Sequence, residues 1–208
     1  MRIKSLISTP DRAGRYRVVF ADDSVMRLYR QTVEDFGLYA GLELTETEFS
    51  RLQESAGQMS AKMRAVRIVA ATSVSKRDLE RRLVQKGENP DQAKAAVAWM
   101  SEMSLLDDRK TAEQVVARCI SKGYGRARAK QALYEKRIPK EYWEEVLEDY
   151  PDQTHKIMDF LESHLGDEPS GKDVKRAVDA LLRRGHSYSA IRHAMQEMAM
   201  DSDEIPEV

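Results

Sequence analysis

The residues best equipped for chemistry are a glycine-lysine loop, one cysteine, four histidines and several adjacent acids. Gly166-x-x-x-x-Gly171-Lys172 imitates a phosphate-cradling loop, in which backbone N–H groups and the lysine hold a nucleotide. Its eighth position is Asp173, where a Ser or Thr hydroxyl would be needed for magnesium. An amphipathic helical pattern precedes it instead of a buried strand, and Asp167 and Glu168 would repel phosphate. The loop reads as a helix–helix connection capped at Gly171. Cys119 sits on an apolar stripe with Val115, Val116 and Ile120, with no histidine at helical spacing, and reads as a core thiol rather than a nucleophile. His155, His164, His186 and His193 lack metal-ligand spacing. Asp107-Asp108, Glu144-Glu145 and Glu148-Asp149 read as caps and helix surface. No catalytic residue, metal or cofactor is expected, and the protein is read as a non-enzyme.

The cations carry more information. Net charge is −1, yet charge comes in blocks. Lys62–Lys86 holds eight Lys/Arg against two Asp/Glu, Arg118–Arg137 seven against one, and Lys172–His193 six against two. Between them, Glu88–Ala117 has three against six and Ile138–Glu168 two against ten. A single block is ordinarily a solvated helix face. Recurrence at one position of a repeat argues for a continuous positive stripe. The candidate contacts are Arg77, Arg81, Arg82 and Lys86; Lys122, Arg126, Arg128 and Lys130; and Lys172, Lys175, Arg183 and Arg184. Tyr124, between two glycines and near Lys122, could stack on a base, although covering a neighbouring helix is the commoner use of such a residue.

The elements that must hold these cations follow from an internal repeat. Leu79-x-x-x-Leu83-x-x-Lys86-Gly87 returns fifty residues later as Ala129-x-x-x-Leu133-x-x-Lys136-Arg137, and forty-eight after that as Ala177-x-x-x-Leu181-x-x-Arg184-Gly185. Self-similarity at such a period signals a helical repeat array. Each copy reads as three helices: residues 58–108, 109–150 and 151–200, with 201–208 an acidic disordered tail. In the first copy Met59, Met63, Val66 and Val69 form an apolar stripe. Ser75 is placed to cap its second helix, and Pro90 opens the third. Asp108 is read as the cap of the next repeat, and Ser187 or Ser189 as the cap of the last helix. Trp99 and Trp143 read as packing anchors. Residues 1–57 read as a small β-rich extension: strands around 2–7, 15–20 and 25–29, a short helix ended by Gly37, and a capping box Thr45-x-x-Glu48 starting a helix that Gly57 breaks. So small a sheet needs the helices beside it.

With 33% charged and 7% aromatic residues in 208, the composition suits a helix-rich chain. No apolar run approaches the roughly 18–20 residues of a membrane span. The start, MRIKSLISTPDRAGR, lacks a signal-peptide core, and one cysteine permits no internal disulfide. A cytoplasmic monomer is expected.

Ser75-x-x-Asp78-Leu79 through Lys86-Gly87, then Leu105-Leu106-Asp107-Asp108, Lys122-Gly123-x-Gly125 and Leu133-x-x-Lys136-x-Ile138, resemble the bacterial RecX family of recombination regulators. The resemblance covers about residues 58–200. Ser104, Thr111 and Arg137 depart from it, standing where a glycine, an aromatic residue and a glycine are usual. It implies an elongated, curved array of three tandem three-helix repeats. It also implies a modulator of RecA that binds the RecA–single-stranded DNA filament along its groove and inhibits ATP hydrolysis, strand exchange and filament growth, within homologous recombination, DNA repair and the SOS response. The residues alone leave other readings open: a general single-stranded nucleic-acid binder without a RecA partner, a protein scaffold, or a hydrolase built on the acid pairs or on the loop at Gly166.

Overall fold

The computed structural model describes residues 1–166 and 169–198. The 201–208 tail, and Asp167 and Glu168 of the glycine loop, lie outside the described residues. The chain is mainly α, with ten α-helices and one three-stranded sheet among the described residues. It divides into two compact units: Met1–Thr72 with Lys76–Leu106, and Ser73–Ser75 with the chain from Asp107 onward.

In unit one, β1 (Ile3–Leu6), β2 (Arg15–Phe20) and β3 (Val25–Tyr29) form an antiparallel meander in chain order. Alternation turns Val18 and Phe20 inward, where they join Ile3 and Leu28. The sheet does not stand alone. Its inner face packs on Leu38, Leu44 and Leu52, and the Phe20 and Phe49 rings meet edge to face at 5.2 Å. Helix α1 (Arg30–Asp35) follows β3, and Gly37, at φ +55°, makes the turn.

Helix α2 (Glu46–Ala71) opens with the expected capping box: Glu48 N–H donates to Thr45 Oγ1, and Thr45 N–H donates to the Glu48 carboxylate. It then runs 26 residues without a break, straight through Gly57. The expected end of the helix at Gly57 is corrected. A Cβ at Gly57 would lie 2.3 Å from the Gln92 side-chain amide, so the glycine makes room for a neighbouring helix instead of stopping its own. The buried stripe is corrected too. Ala61 and Ala65 are fully buried, whereas Met63 is exposed. Small residues, not the methionine, face the close neighbour. Helices α3 (Lys76–Gln85) and α4 (Pro90–Glu102) complete the unit, burying Leu79, Leu83, Ala93, Ala96 and Met100. Asn89 caps α4, with Pro90 in its first turn.

Unit two holds α5 (Asp108–Ser121), α6 (Arg126–Glu135), a 3-10 turn (Lys140–Tyr142), α7 (Trp143–Glu148), α8 (Thr154–His164), α9 (Gly171–Arg183) and α10 (Tyr188–Glu197). Two cores form. One is built on Val116, Cys119, Leu133 and Leu147, the other on Ile157, Leu161, Leu181 and Ile191. Three caps are settled. Asp107, not Asp108, caps α5 by accepting from Arg109 and Lys110 N–H, and Asp108 is the buried first helical residue. Ser170, not Gly171, caps α9. Ser187 caps α10.

The repeat shows most clearly at the end of each second helix. In α3, α6 and α9 the N–H two residues beyond the last turn reaches back to a leucine carbonyl: Glu88 to Leu83, Ile138 to Leu133, His186 to Leu181. The residue before it is left-handed in each case: Gly87 at φ +90°, Arg137 at +56°, Gly185 at +86°. This is one helix-ending motif repeated three times. Arg137, and Ser104 at φ +55°, therefore carry side chains where glycine is favoured. Relief of about 1–2 kcal/mol of left-handed strain, set against about 0.5–1 kcal/mol of glycine entropy, predicts that Ser104→Gly and Arg137→Gly each stabilise the protein by about 0.5–1 kcal/mol. Urea midpoints should rise with the slope unchanged, and a fall in either variant would contradict the assignment.

Candidate nucleic-acid interface

The second helices α6 and α9 begin differently: Ser170 caps α9, whereas no side chain caps α6. Before α6, Gly125 N–H donates to the Arg184 carbonyl at 2.9 Å, and Ala127 N–H to the Gly185 carbonyl at 3.3 Å. No side chain caps α6, so the α9–α10 turn supplies the missing acceptors. The approach needs two glycines. A Cβ on Gly125 would sit 2.0 Å from Gly185 O, and one on Gly185 would sit 2.2 Å from Arg128 N. A comparable seat receives Ser73–Ser75. Ser75 Oγ donates to the Lys136 carbonyl at 2.6 Å, and Ser73 Oγ to Gln114.

Of the predicted cations, Arg77, Lys86, Lys122, Arg126, Lys130, Lys172, Lys175 and Arg183 are exposed. None makes an ion pair or side-chain hydrogen bond among the described residues. Arg126 and Lys130 stand four residues apart on α6, on one face, and both line a cavity of about 470 Å³ beside Tyr150, Asp152 and His186. Four other candidates are engaged within the fold. Arg81 and Arg82 both donate to Asp78, at 2.7 and 2.8 Å, whose side chain is only 2% exposed. Arg128 bridges to Glu135 at 2.9 Å, and that bond holds the Glu135 carboxyl below its usual range. Arg184 lies 4.5 Å over the Phe160 ring.

Tyr124 is half-buried against the core of its own repeat, and its carbonyl accepts from Tyr150 Oη at 2.7 Å. Burial pushes the Tyr150 phenol up to about 12. His186 is buried and donates from Nε2 to the Gly123 carbonyl at 3.0 Å. Burial, with Arg184 adding, pushes its pKa down despite that hydrogen bond, so the ring is a neutral structural link at neutral pH. Cys119 is buried in the core, and burial pushes its thiol up, away from the thiolate a nucleophile requires. Among the described residues, no group of three His, Cys, Asp or Glu could hold a metal ion, and no helix is long and apolar enough to cross a membrane. Trp143 serves the fold by donating Nε1–H to the Ile138 carbonyl, and Trp99 lies under Lys62 Nζ at 5.3 Å.

Sequence spacing alone missed Arg15, Arg64 and Arg67. They meet Arg82 and Lys86 around a second cavity of about 470 Å³, inside unit one. Arg64 and Arg67 lie in the Lys62–Lys86 charge block but on the first helix, whereas the contacts expected from that block, Arg77, Arg81, Arg82 and Lys86, lie on or just beyond the second.

Comparison with known proteins agrees with this architecture. Residues 107–147 match the family model described as RecX, second three-helix domain. The chain is 25% identical over 146 residues to the regulatory protein RecX of Vibrio parahaemolyticus, covering 69% of this chain and 94% of that one. It is 29% identical over 140 residues to that of Chlorobaculum tepidum (66% and 87%), and 23% identical over 193 residues to that of Streptococcus gordonii (91% and 75%). A crystal structure of regulatory protein RecX superposes with a TM-score of 0.63 at 16% identity, covering 94% of this chain and 98% of that one. RecX from Lactobacillus salivarius gives 0.59 at 19%, covering 70% and 98%. The relatives are named as regulatory proteins, not as enzymes. In sequence and in fold together, the chain is similar to regulatory proteins of the RecX family, and its residues 107–147 match that family's second three-helix domain.

Proposed function

We propose that this protein is a cytoplasmic, monomeric modulator of RecA that binds the RecA–single-stranded DNA filament and restrains its ATP hydrolysis, strand exchange and growth. The three repeats, residues 58–108, 109–150 and 151–200, act together, each offering its second helix. The observation that carries the reading is the set of exposed cations on or beside those helices that have no ion-pair partner among the described residues: Arg77, Lys86, Lys122, Arg126, Lys130, Lys172, Lys175 and Arg183. Charges already balanced by protein carboxylates add little counterion release on meeting phosphate, whatever hydrogen bonds their remaining N–H groups can make. Free ones release counterions when they meet it, which gives a salt-dependent term indifferent to sequence. Tyr124 is kept as a candidate contact through its exposed edge only.

The test is DNA-dependent ATP hydrolysis by RecA with this protein titrated in, repeated with a variant carrying Arg77→Gln, Arg126→Gln, Lys130→Gln and Lys172→Gln. The parent should inhibit well below one molecule per RecA subunit. If the four cations each meet a phosphate, the variant should lose roughly 3 from its log–log salt slope. Binding of naked strand and filament with equal affinity, and no effect on RecA, would favour a general single-stranded nucleic-acid binder instead.

A further inference from the structure

We infer that the cleft in unit one is a phosphate-binding site for the backbone of a single nucleic-acid strand, built jointly by the β-rich extension and the first repeat. The inference deepens the proposed function, and rests on it only for the identity of the strand. Three elements converge on the cleft. Arg15 comes from the start of β2, Arg64 and Arg67 from α2, and Arg82 and Lys86 from α3 and its end. Among the described residues, no Asp or Glu lines it.

The five cations are held in two ways. Three are oriented by carboxylates outside the lining: Arg15 by Asp11 at 2.8 Å, Arg64 by Glu88 at 2.5 Å, Arg82 by Asp78 at 2.8 Å. Each guanidinium has five N–H donors, so a carboxylate that fixes one edge leaves others for a ligand. The remaining two are uncompensated. Arg67 is positioned by neutral partners, donating to Tyr29 Oη at 2.9 Å and to the Met63 carbonyl at 3.2 Å. Lys86 is exposed and has no side-chain partner among the described residues. Three fixed forks and two free charges around one hollow form an anion cradle whose ordering cost is met in advance.

Size and chemistry narrow the ligand. About 470 Å³ exceeds what one phosphate fills, and falls in the range of sites that hold a nucleotide-sized group. Among the described residues no aromatic side chain lines the cleft, so bases have nothing to stack on, and recognition falls on phosphate and sugar. Ile68 and Ala71 give the sugar an apolar wall. The β-rich extension is thereby part of the site, because Arg15 closes one side of the cradle.

The experiment is fluorescence anisotropy of a labelled oligothymidylate with the full chain, across a salt series and without RecA. Arg67→Gln with Lys86→Gln removes the two cations that hold no carboxylate. The paired control is Lys94→Gln with Lys110→Gln, two exposed lysines outside the cleft. The cleft variant should bind roughly tenfold more weakly at 0.1 M salt, with the log–log slope reduced by about 1.4, while the control changes neither. Both variants should melt with the parent. Equal affinity and slope in a folded cleft variant would overturn the inference. So would pyrophosphate raising the melting temperature of the parent alone while strand binding is unchanged, because the cleft would then serve small anions. RecA ATPase inhibition is measured in parallel. Strand binding lost in the variant, with a parent that fails to inhibit RecA, upholds the cleft and removes the proposed function.

Discussion

Gly185→Ala is expected to cost about 3–4 kcal/mol and to lower the melting temperature of unit two more than any other single glycine-to-alanine change. Two costs coincide there. The residue is left-handed at φ +86°, which costs an L-residue about 1–2 kcal/mol. Its Cβ would also sit 2.2 Å from Arg128 N and 2.9 Å from Arg128 Cα. These are backbone atoms of α6 and cannot swing aside as a side-chain tip can. Forcing them apart costs about 1–3 kcal/mol, and would also lengthen the two hydrogen bonds by which the 184–185 carbonyls cap α6. Gly87→Ala is the matched comparison. It has φ +90° in the same motif, yet its Cβ would meet nothing within 4 Å. It should lose only the conformational part. Urea unfolding of both variants separates the two costs, and equal losses would show that the close approach contributes nothing.

Arg81→Glu with Arg82→Glu is expected to unfold unit one, not merely to discharge its surface. Both arginines bond Asp78, whose side chain is 2% exposed in α3. Removing the partners of a buried charge costs about 3–5 kcal/mol, and two new carboxylates beside it add repulsion. Circular dichroism should show a large fall in melting temperature before any binding assay. Arg126→Glu with Lys130→Glu, two exposed cations without an ion-pair partner among the described residues, should leave the melt nearly unchanged while weakening strand binding. Loss of filament binding after reversal at 81 and 82 would therefore say nothing about contact. A native melt for that double variant would refute the structural role given to Asp78.

This contrast shows what could be read from spacing. The repeat, the shared turn at Gly87, Arg137 and Gly185, the capping box at Thr45 and the small sheet are all local patterns, fixed by residues within a turn or two of each other. Charge was legible as well, but its availability was not. Whether an arginine is free depends on which carboxylate is near in space, and Arg128 and Glu135 are seven residues apart. Gly57 misled because a glycine that ends a helix and one that admits a neighbour look alike in one dimension. Gln92, which tells them apart, is thirty-five residues away. The unit-one cleft was hidden for the same reason: its five cations come from three separated stretches.

The three residues Ser73–Ser75 belong to unit two, although the chain on both sides of them belongs to unit one. On the ribosome this imposes a wait. Ser75 is made sixty-one residues before the Lys136 carbonyl that receives its hydroxyl. At about 5–20 residues per second, roughly 3–12 seconds pass before the acceptor of the Ser75 hydroxyl exists. Unit one can close during that time only as a ring of chain with three residues left out, and those three are claimed when α6 and its turn have emerged.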